Sequence, residues 1–129
     1  MFSRSIRLVV AFTVFLLIPS HALGESSWTP IGPNAGTIFS LIRDPFATNR
    51  WFAGTYFGGL YKSENAGTSW DHVPSPFSTK VVFALAADAN TPGKLFAGIL
   101  DSGIYRSLDS GETWSQITNG IGNASIESI

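Results

Sequence analysis

A repeat of 44 residues constrains the fold of this chain more than any other feature of its sequence. Shifting the sequence by 44 positions places residues 35–70 on residues 79–114 without a gap, and 11 of these 36 positions are identical. Phe39 and Phe83 form one such identical pair. A period of this length is typical of proteins that stack one supersecondary unit beside the next, because a single unit cannot bury its apolar face alone.

Each repeat unit has the pattern of short β-strands. In the first unit, apolar stretches at residues 38–42, 51–55 and 59–63 are separated by turn-rich segments, and a last strand follows Trp70. Helical periodicity is absent after residue 24. Short runs between Gly, Pro, Asn and Asp clusters favour strands, and four short strands in each 44-residue unit match one β-propeller blade.

We therefore predict an all-β fold made of β-propeller blades with four antiparallel strands each. The predicted boundaries are residues 37–73 and 81–117 for two complete blades and 126–129 for the start of a third, within a partial propeller at 25–129. Because the sequence would then stop within a repeat, we expect it to be an N-terminal fragment of a larger propeller.

The turn before the last strand of each unit carries the most specific motif. Residues 107–114 read Ser-Leu-Asp-Ser-Gly-Glu-Thr-Trp, and residues 63–70 read Ser-Glu-Asn-Ala-Gly-Thr-Ser-Trp. This motif resembles the Asp-box, or BNR repeat, of sialidase-like β-propellers. Its defined positions are Ser63, Asn65, Gly67, Ser69 and Trp70 in the first unit, and Ser107, Asp109, Gly111, Thr113 and Trp114 in the second.

The residue types in this motif suit a compact structural turn. Asp109 or Asn65 can accept hydrogen bonds from backbone N–H groups of the turn, and glycine permits the positive φ that such a turn needs. The tryptophan is expected to bury its ring between neighbouring sheets. Asp109 could instead be a catalytic or calcium-binding acid, but the resemblance implies an architectural motif on the face opposite the usual active site. We expect no metal site and no cofactor.

The complete unit most resembles secreted multi-Asp-box propellers, which include photosystem II assembly-factor-like proteins, sortilin-like domains and xyloglucan hydrolases. The resemblance covers about residues 28–129 and implies a ligand face in the loops opposite the motif. The residues expected at that face are Tyr56, Phe57, Phe77, Leu100 and Asp101. Paired aromatic rings there can stack on a sugar or a peptide, or can serve only as packing at the rim.

Carboxylates are sparse in the loops of this expected ligand face. In the xyloglucan hydrolases a catalytic Asp follows the second strand, and Tyr56 stands at that position here. The second unit has Leu100 there and Asp101 one position later. A glycosidase needs two carboxyl groups facing one bond, whereas these loops offer Asp101 alone, and we expect it to be a solvated turn residue rather than a catalyst. The sequence therefore assigns no catalytic residue and leaves open whether the protein is an enzyme.

The N-terminus has the features of a cleaved export signal at residues 1–24. Two arginines precede an apolar run from Leu8 to Ile18, and small residues follow. We expect cleavage after Ala22 or Gly24 and a secreted or periplasmic protein. A helix of eleven residues spans about 16 Å, roughly half of a bilayer core, so we expect no stable membrane anchor after cleavage.

Charge and cysteine content narrow the class of partner. The chain has 8 basic and 9 acidic residues and no cysteine. Nucleic-acid binding would need a clustered basic face, which this charge balance does not suggest, so we expect no nucleic-acid partner. Without cysteine the chain has neither disulfides nor thiolate chemistry. A protein or a carbohydrate ligand fits this composition.

Three functions fit these observations. The one we favour is an exported interaction scaffold that is not catalytic in this stretch of sequence. The second is an N-terminal fragment of a propeller glycoside hydrolase whose catalytic acids lie in other blades. The third is a lectin-like subunit that completes a propeller by oligomerisation, although a partial third repeat is unexpected for such a subunit.

Overall fold

The described part of the chain is all β. The computed structural model describes residues 29–119, and within that range it contains eight strands and no helix. The first sheet contains β1 (Ile38–Arg43), β2 (Trp51–Thr55), β3 (Leu60–Ser63) and β4 (Asp71–Val73), and the second contains β5 (Val82–Ala87), β6 (Leu95–Ile99), β7 (Gly103–Ser107) and β8 (Ser115–Ile117). The two predicted four-stranded antiparallel sheets are confirmed. The predicted signal at 1–24 and the predicted third blade at 126–129 lie outside the described residues.

Both sheets are simple meanders with the same register. Their strand orders are β1-β2-β3-β4 and β5-β6-β7-β8, and every neighbouring pair is antiparallel. The first strand of each sheet has a shift in its pairing register near its start, between Ile38 and Ser40 in β1 and between Val82 and Ala84 in β5. The 44-residue period of the sequence is thus a period of the backbone, including this local irregularity.

Antiparallel pairing places the connections between strands at two opposite ends of the sheets. The β2–β3, β4–β5 and β6–β7 connections lie at one end, which we call the ligand end. The β1–β2, β3–β4, β5–β6 and β7–β8 connections lie at the other, which we call the turn end. The two repeated turns, residues 63–70 and 107–114, therefore lie at the opposite end of the sheets from Tyr56 and Phe57.

The core of the molecule lies between the two sheets. The first sheet contributes Phe52, Leu60 and Val73, and the second contributes Val82, Leu85, Leu95, Ala97 and Ile99, all of them buried. Burial of a large apolar side chain stabilises a fold by about 1.5–3 kcal/mol, so this interface supplies most of the apolar stabilisation. At its edge the Lys62 Nζ lies 2.6 Å from the Glu112 carboxylate and adds an ion pair between the sheets.

Gly54 permits β5 to approach the first sheet closely. A Cβ at Gly54 would lie 2.7 Å from Val82 Cγ1 and 2.8 Å from the Val82 carbonyl oxygen. These separations are below van der Waals contact, and one of the obstructing atoms belongs to the backbone. The glycine of the repeated Phe-Ala-Gly sequence is therefore needed for packing between sheets rather than for a turn.

We expect Gly54→Ala in the full chain to lower the free energy of unfolding by about 1–3 kcal/mol, because overpacking forces β5 away from β2. The matched control is Gly32→Ala, where an added Cβ would meet only Ile38 Cδ1 at 3.9 Å. The measurement is urea unfolding of both variants at one protein concentration. Equal midpoints for the two variants would contradict this account of the interface.

Candidate functional site

Four aromatic rings form a cluster toward the ligand end. Phe39, near the start of β1, lies 4.9 Å between ring centroids from Phe83, near the start of β5. Tyr56 meets Phe39 edge to face at 5.8 Å, and Phe57 meets Tyr56 at 4.4 Å. Such arrangements are favourable for aromatic pairs. We call these four residues the aromatic cluster.

The aromatic cluster is open to solvent. Phe39 is 45% exposed, Tyr56 is 50% exposed and Phe57 is 59% exposed. Soluble proteins rarely leave contiguous aromatic surface exposed unless it contacts another molecule. The cluster is therefore the strongest candidate for a binding surface in the part of the chain that the structure describes.

Phe57 has a backbone conformation that large side chains rarely adopt. Its φ is 56°, in the left-handed region, where a residue with a Cβ costs roughly 1–2 kcal/mol. Asp101 occupies the same turn position in the second sheet with a φ of 55°. Asn, Asp and Gly suit this position, so the turn geometry accounts for Asp101 but not for an exposed phenylalanine at residue 57.

Leu100 and Asp101 lie in the β6–β7 connection, at the same end of the sheets as Tyr56 and Phe57. The Leu100 N–H donates to the Val81 carbonyl at 3.0 Å, and the Tyr56 N–H donates to the Thr37 carbonyl at 2.9 Å in the same way. Leu100 is half-buried and Asp101 is exposed. The second sheet thus repeats the loop backbone without repeating its aromatic side chains.

Phe77 differs from the prediction that it lines the ligand face. It is fully buried, and its ring lies 5.0 Å from Tyr105 and 5.3 Å from Trp114. The segment between β4 and β5 directs the Phe77 ring into the core, because burial against Tyr105 and Trp114 removes its apolar surface from water. Phe77 is a core residue, whereas Phe39 and Phe83, which sequence reasoning did not place at the site, belong to the aromatic cluster.

Carboxylates do not converge on the aromatic cluster within residues 29–119. Asp101 is the one acidic residue in the three connections at the ligand end, β2–β3, β4–β5 and β6–β7. The same stretch of chain holds no group of three or more His, Cys, Asp or Glu side chains able to bind a metal ion. It also holds no helix of the length and hydropathy required to cross a bilayer. The arrangement described here can bind a ligand by stacking, but it does not assemble a carboxylate pair.

The two repeated turns at the opposite end have nearly the same hydrogen bonds. The Ser63 Oγ accepts from the Gly67 N–H at 2.8 Å, and the Ser107 Oγ accepts from the Gly111 N–H at 2.9 Å. Gly67 and Gly111 have φ values of 87° and 86°. The indole N–H of each tryptophan, Trp70 and Trp114, donates to the carbonyl of the glycine of its own turn at 3.1 and 3.0 Å. The predicted positive φ of both glycines is confirmed.

The Asn and Asp of these turns have the expected acceptor role. Asn65 Oδ1 accepts from the Ser69 N–H at 2.8 Å, and Asp109 Oδ1 accepts from the Thr113 N–H at 2.9 Å. The Thr113 hydroxyl, the Thr113 N–H and the Ser107 hydroxyl together lower the pKa of Asp109 to about 2. Every one of these partners lies inside the turn, so the described contacts of Asp109 are structural.

The tryptophans of the two turns differ in their surroundings. Trp114 packs against Phe77 between the sheets, as predicted for this position. Trp70 instead lines an apolar groove on the outer side of the first sheet, together with Ile38, Leu41 and Trp51. Both indole rings are half-buried, but within residues 29–119 only that of Trp114 packs against the core between the two sheets.

Two GH74 enzymes and one YCF48 complex are among the solved structures that are similar to this chain. An ancestral GH74 enzyme superimposes with a TM-score of 0.64 and 29% identity, over 78% of this chain and 13% of that one. The GH74 xyloglucanase from Xanthomonas campestris superimposes with a TM-score of 0.52 and 17% identity, over 61% of this chain and 15% of its own. YCF48 bound to D1 peptide gives a TM-score of 0.53 and 15% identity, over 67% of this chain and 28% of that structure.

These similarities establish the fold. The neighbours are β-propellers, and each sheet of this chain is a four-stranded blade of that architecture. The chain spans between 13% and 28% of the length of the three structures it matches. No protein-family model matches the sequence, and no curated protein does.

Replacing Asp109 should separate hydrogen bonding from charge. We expect Asp109→Ala to lower the free energy of unfolding at neutral pH by about 0.5–1.5 kcal/mol, because the turn loses its acceptor. We expect Asp109→Asn to cost less, because Asn65 makes the corresponding bonds in the first turn. Urea unfolding of both variants is the measurement, and equal losses would contradict the acceptor role.

The Asp109→Asn variant also tests how the stability of the protein depends on pH. The pKa of Asp109 is about 2 in the folded protein, below the ordinary value of 3.8, so its ionised form favours folding above about pH 4. This contribution is lost as the pH falls from about 4 towards 2. The stability difference between the natural protein and Asp109→Asn should shrink over that interval. A constant difference would mean that the charge on Asp109 does not contribute.

Proposed function

We propose that this chain belongs to an exported β-propeller that acts as a protein-interaction scaffold. The observation that carries the proposal is the aromatic cluster at the ligand end, where Phe39, Tyr56 and Phe57 are all substantially exposed. Export is proposed from the N-terminal sequence, whose basic start and apolar run have the form of a cleaved signal peptide.

A protein or peptide ligand fits the aromatic cluster better than a polysaccharide. Stacking on aromatic rings provides apolar contact area, but the recognition of a sugar also needs convergent hydrogen-bonding groups. The contacts that define the cluster run from ring to ring. Apolar side chains of a partner, including proline, can pack against such rings without further polar groups. Aromatic anchors of this kind dominate the binding energy of many protein interfaces.

The strain at Phe57 supports a binding role. A phenylalanine at a φ of 56° that is 59% exposed gains little packing energy in return. Residues in sparsely populated backbone regions concentrate at functional sites, because binding rather than stability favours them. The exposed ring and the strained backbone are two independent features of one residue.

A glycoside hydrolase is the second candidate, favoured by the 29% identity to the ancestral GH74 enzyme. Both catalytic carboxyl groups would then have to face one glycosidic bond, and the three described connections at the ligand end supply Asp101 alone. Under this alternative other parts of the protein would complete the pair. Xyloglucan hydrolysis by the full chain that is abolished by Asp101→Asn would replace the scaffold with the enzyme.

Two matched substitutions test the scaffold. Phe57→Asn removes a ring at the ligand end and suits the left-handed backbone, whereas Phe46→Asn removes a ring that is 49% exposed at the turn end. The probes are an array of immobilised synthetic peptides and, in parallel, xyloglucan oligosaccharides. We expect peptide binding that Phe57→Asn weakens at least tenfold in Kd, which corresponds to about 1.4 kcal/mol, and that Phe46→Asn leaves unchanged.

Stability measurements make that comparison decisive. We expect Phe57→Asn to unfold at the same urea concentration as the natural protein or a higher one, because it relieves backbone strain. Reduced binding without reduced stability would then assign the ring to recognition. Equal loss of binding in both variants, or binding of the oligosaccharides alone, would refute the proposal.

A further inference from the structure

Residues 56–59, which join β2 to β3 and which we call the aromatic connection, are held in place from two sides. The Tyr56 N–H donates to the Thr37 carbonyl at 2.9 Å, on the segment that leads into β1. The Gly59 N–H donates to the Lys80 carbonyl at 3.2 Å, on the segment that leads into β5. The aromatic connection is therefore anchored to the segments before the first strand of each sheet.

Two glycines bring the aromatic connection against its surroundings. A Cβ at Gly59 would lie 2.7 Å from the Ser78 carbonyl oxygen, and one at Gly58 would lie 2.8 Å from the Ala35 Cβ. Both distances are shorter than van der Waals contact, and Gly59 also has a φ of 67°. Positions 58 and 59 therefore have no room for a side chain, because the neighbouring segments approach them so closely.

A third constraint on the aromatic connection comes from the side chain of Thr55. This residue is fully buried at the end of β2, and its hydroxyl donates to the Gly59 carbonyl oxygen at 2.9 Å. The Thr55 N–H donates to the same oxygen at 3.0 Å. A carbonyl oxygen has two lone pairs, so both bonds can form together. The hydroxyl also lies close to Gly58, where a Cβ would be 2.7 Å from Thr55 Oγ1.

The second sheet shows that a blade does not need a hydroxyl at this position. Ile99 stands one period after Thr55 and is likewise fully buried. Its connection to β7 is closed by backbone groups, since the Ser102 N–H donates to the Ile99 carbonyl at 3.2 Å. An apolar side chain therefore satisfies the packing at this position. The hydroxyl occurs in the sheet whose connection carries Tyr56 and Phe57.

These constraints explain how Phe57 keeps its unfavourable backbone conformation. A residue in a sparsely populated region of φ and ψ persists there only where its surroundings over-determine its conformation. Phe57 has a φ of 56° and is 59% exposed, so packing of its own ring contributes little. The hydrogen bonds made on either side of it, by Thr55, Tyr56 and Gly59, supply the constraint instead.

We propose that Thr55 is a positioning residue for the binding surface, and that its hydroxyl holds the aromatic connection in the conformation that presents the Phe57 ring. This inference rests on the proposed function, because it says how the aromatic cluster is kept ready for a protein ligand. A surface that is already ordered binds more tightly, since less conformational entropy is lost when the ligand binds. Thr55 is buried and acts through Phe57 rather than by contact with the ligand.

Two substitutions at this one position isolate the hydroxyl. Thr55→Val keeps the branched shape of the side chain and removes the donor, whereas Thr55→Ser keeps the hydroxyl. The first readout is amide hydrogen exchange of the full chain followed by NMR, which needs no ligand. We expect Thr55→Val to speed exchange at Tyr56 and Gly59 by about threefold to tenfold, the effect of losing one hydrogen bond. Thr55→Ser should speed it less.

The β6–β7 connection is the internal control for hydrogen exchange. We expect the Leu100 and Ser102 amides to exchange at the same rates in the natural chain and in both variants. Faster exchange there in Thr55→Val would indicate a general loss of stability and would overturn the local role. Unchanged exchange at Tyr56 and Gly59 in Thr55→Val would overturn it as well.

Peptide binding gives the second readout. The probes are the immobilised synthetic peptides, tested against the natural chain and against each variant. We expect Thr55→Val to weaken binding by about threefold to tenfold in Kd, because the aromatic connection must then be ordered when the ligand binds. Thr55→Ser should bind more tightly than Thr55→Val. Equal binding by these two variants would contradict a role for the hydroxyl.

A double variant distinguishes positioning of the ring from a general structural effect. If the hydroxyl acts through the Phe57 ring, its removal has no further effect on binding once the ring is absent. Thr55→Val combined with Phe57→Asn should therefore bind as weakly as Phe57→Asn alone, and additive losses would overturn the proposal. Binding that Phe57→Asn weakens and Thr55→Val does not would overturn this inference alone. A natural chain that binds none of the peptides would refute the proposed function and this inference with it.

Discussion

The contact between Phe52 and the second sheet helps to set the distance between the two sheets, and the aromatic cluster depends on that distance. The ring lies over Gly111 and beside Leu95, where any larger residue than glycine would displace it. On the other side of the junction Gly54 lets the Val82 backbone approach to within contact distance. Two glycines, one from each sheet, therefore set the separation of the blades. The positions of Phe39 and Phe83 follow from that separation, because their rings meet across the same junction.

Sequence periodicity predicted the sheets because strands, turns and blades all repeat with the same 44-residue spacing. It also predicted the chemistry of the repeated turns, since Ser107, Asp109 and Gly111 act within a few residues of one another. Local hydrogen bonds of this kind can be read from a motif. The repeated turns and the Tyr56–Phe57 connection lie at opposite ends of the sheets because antiparallel pairing fixes their positions.

The site was less predictable because it depends on which way side chains point at the junction of two sheets. Phe77 occupies a segment between blades, where a phenylalanine can turn outward or inward with the same sequence pattern. It turns inward to meet Tyr105 and Trp114. In the sequence Phe39 and Phe83 are recognisable only as an identical pair of the repeat. Phe39 is exposed beside Tyr56, and only the three-dimensional arrangement of the two first strands shows this.

The ion pair between Lys62 and Glu112 has a consequence for how a chain of blades with similar apolar faces reaches the correct arrangement. Repeated apolar faces are interchangeable, so during folding a blade can dock on the wrong neighbour, and such mispairing is a characteristic failure of repeat proteins. The salt bridge is present at one junction, and its repeat positions are Arg106 and Thr68. It therefore distinguishes this junction from others with the same apolar surface. Substitutions that introduced the same ion pair at another junction between blades would make the two junctions more alike. The ion pair would then no longer distinguish the correct arrangement of blades from a wrong one.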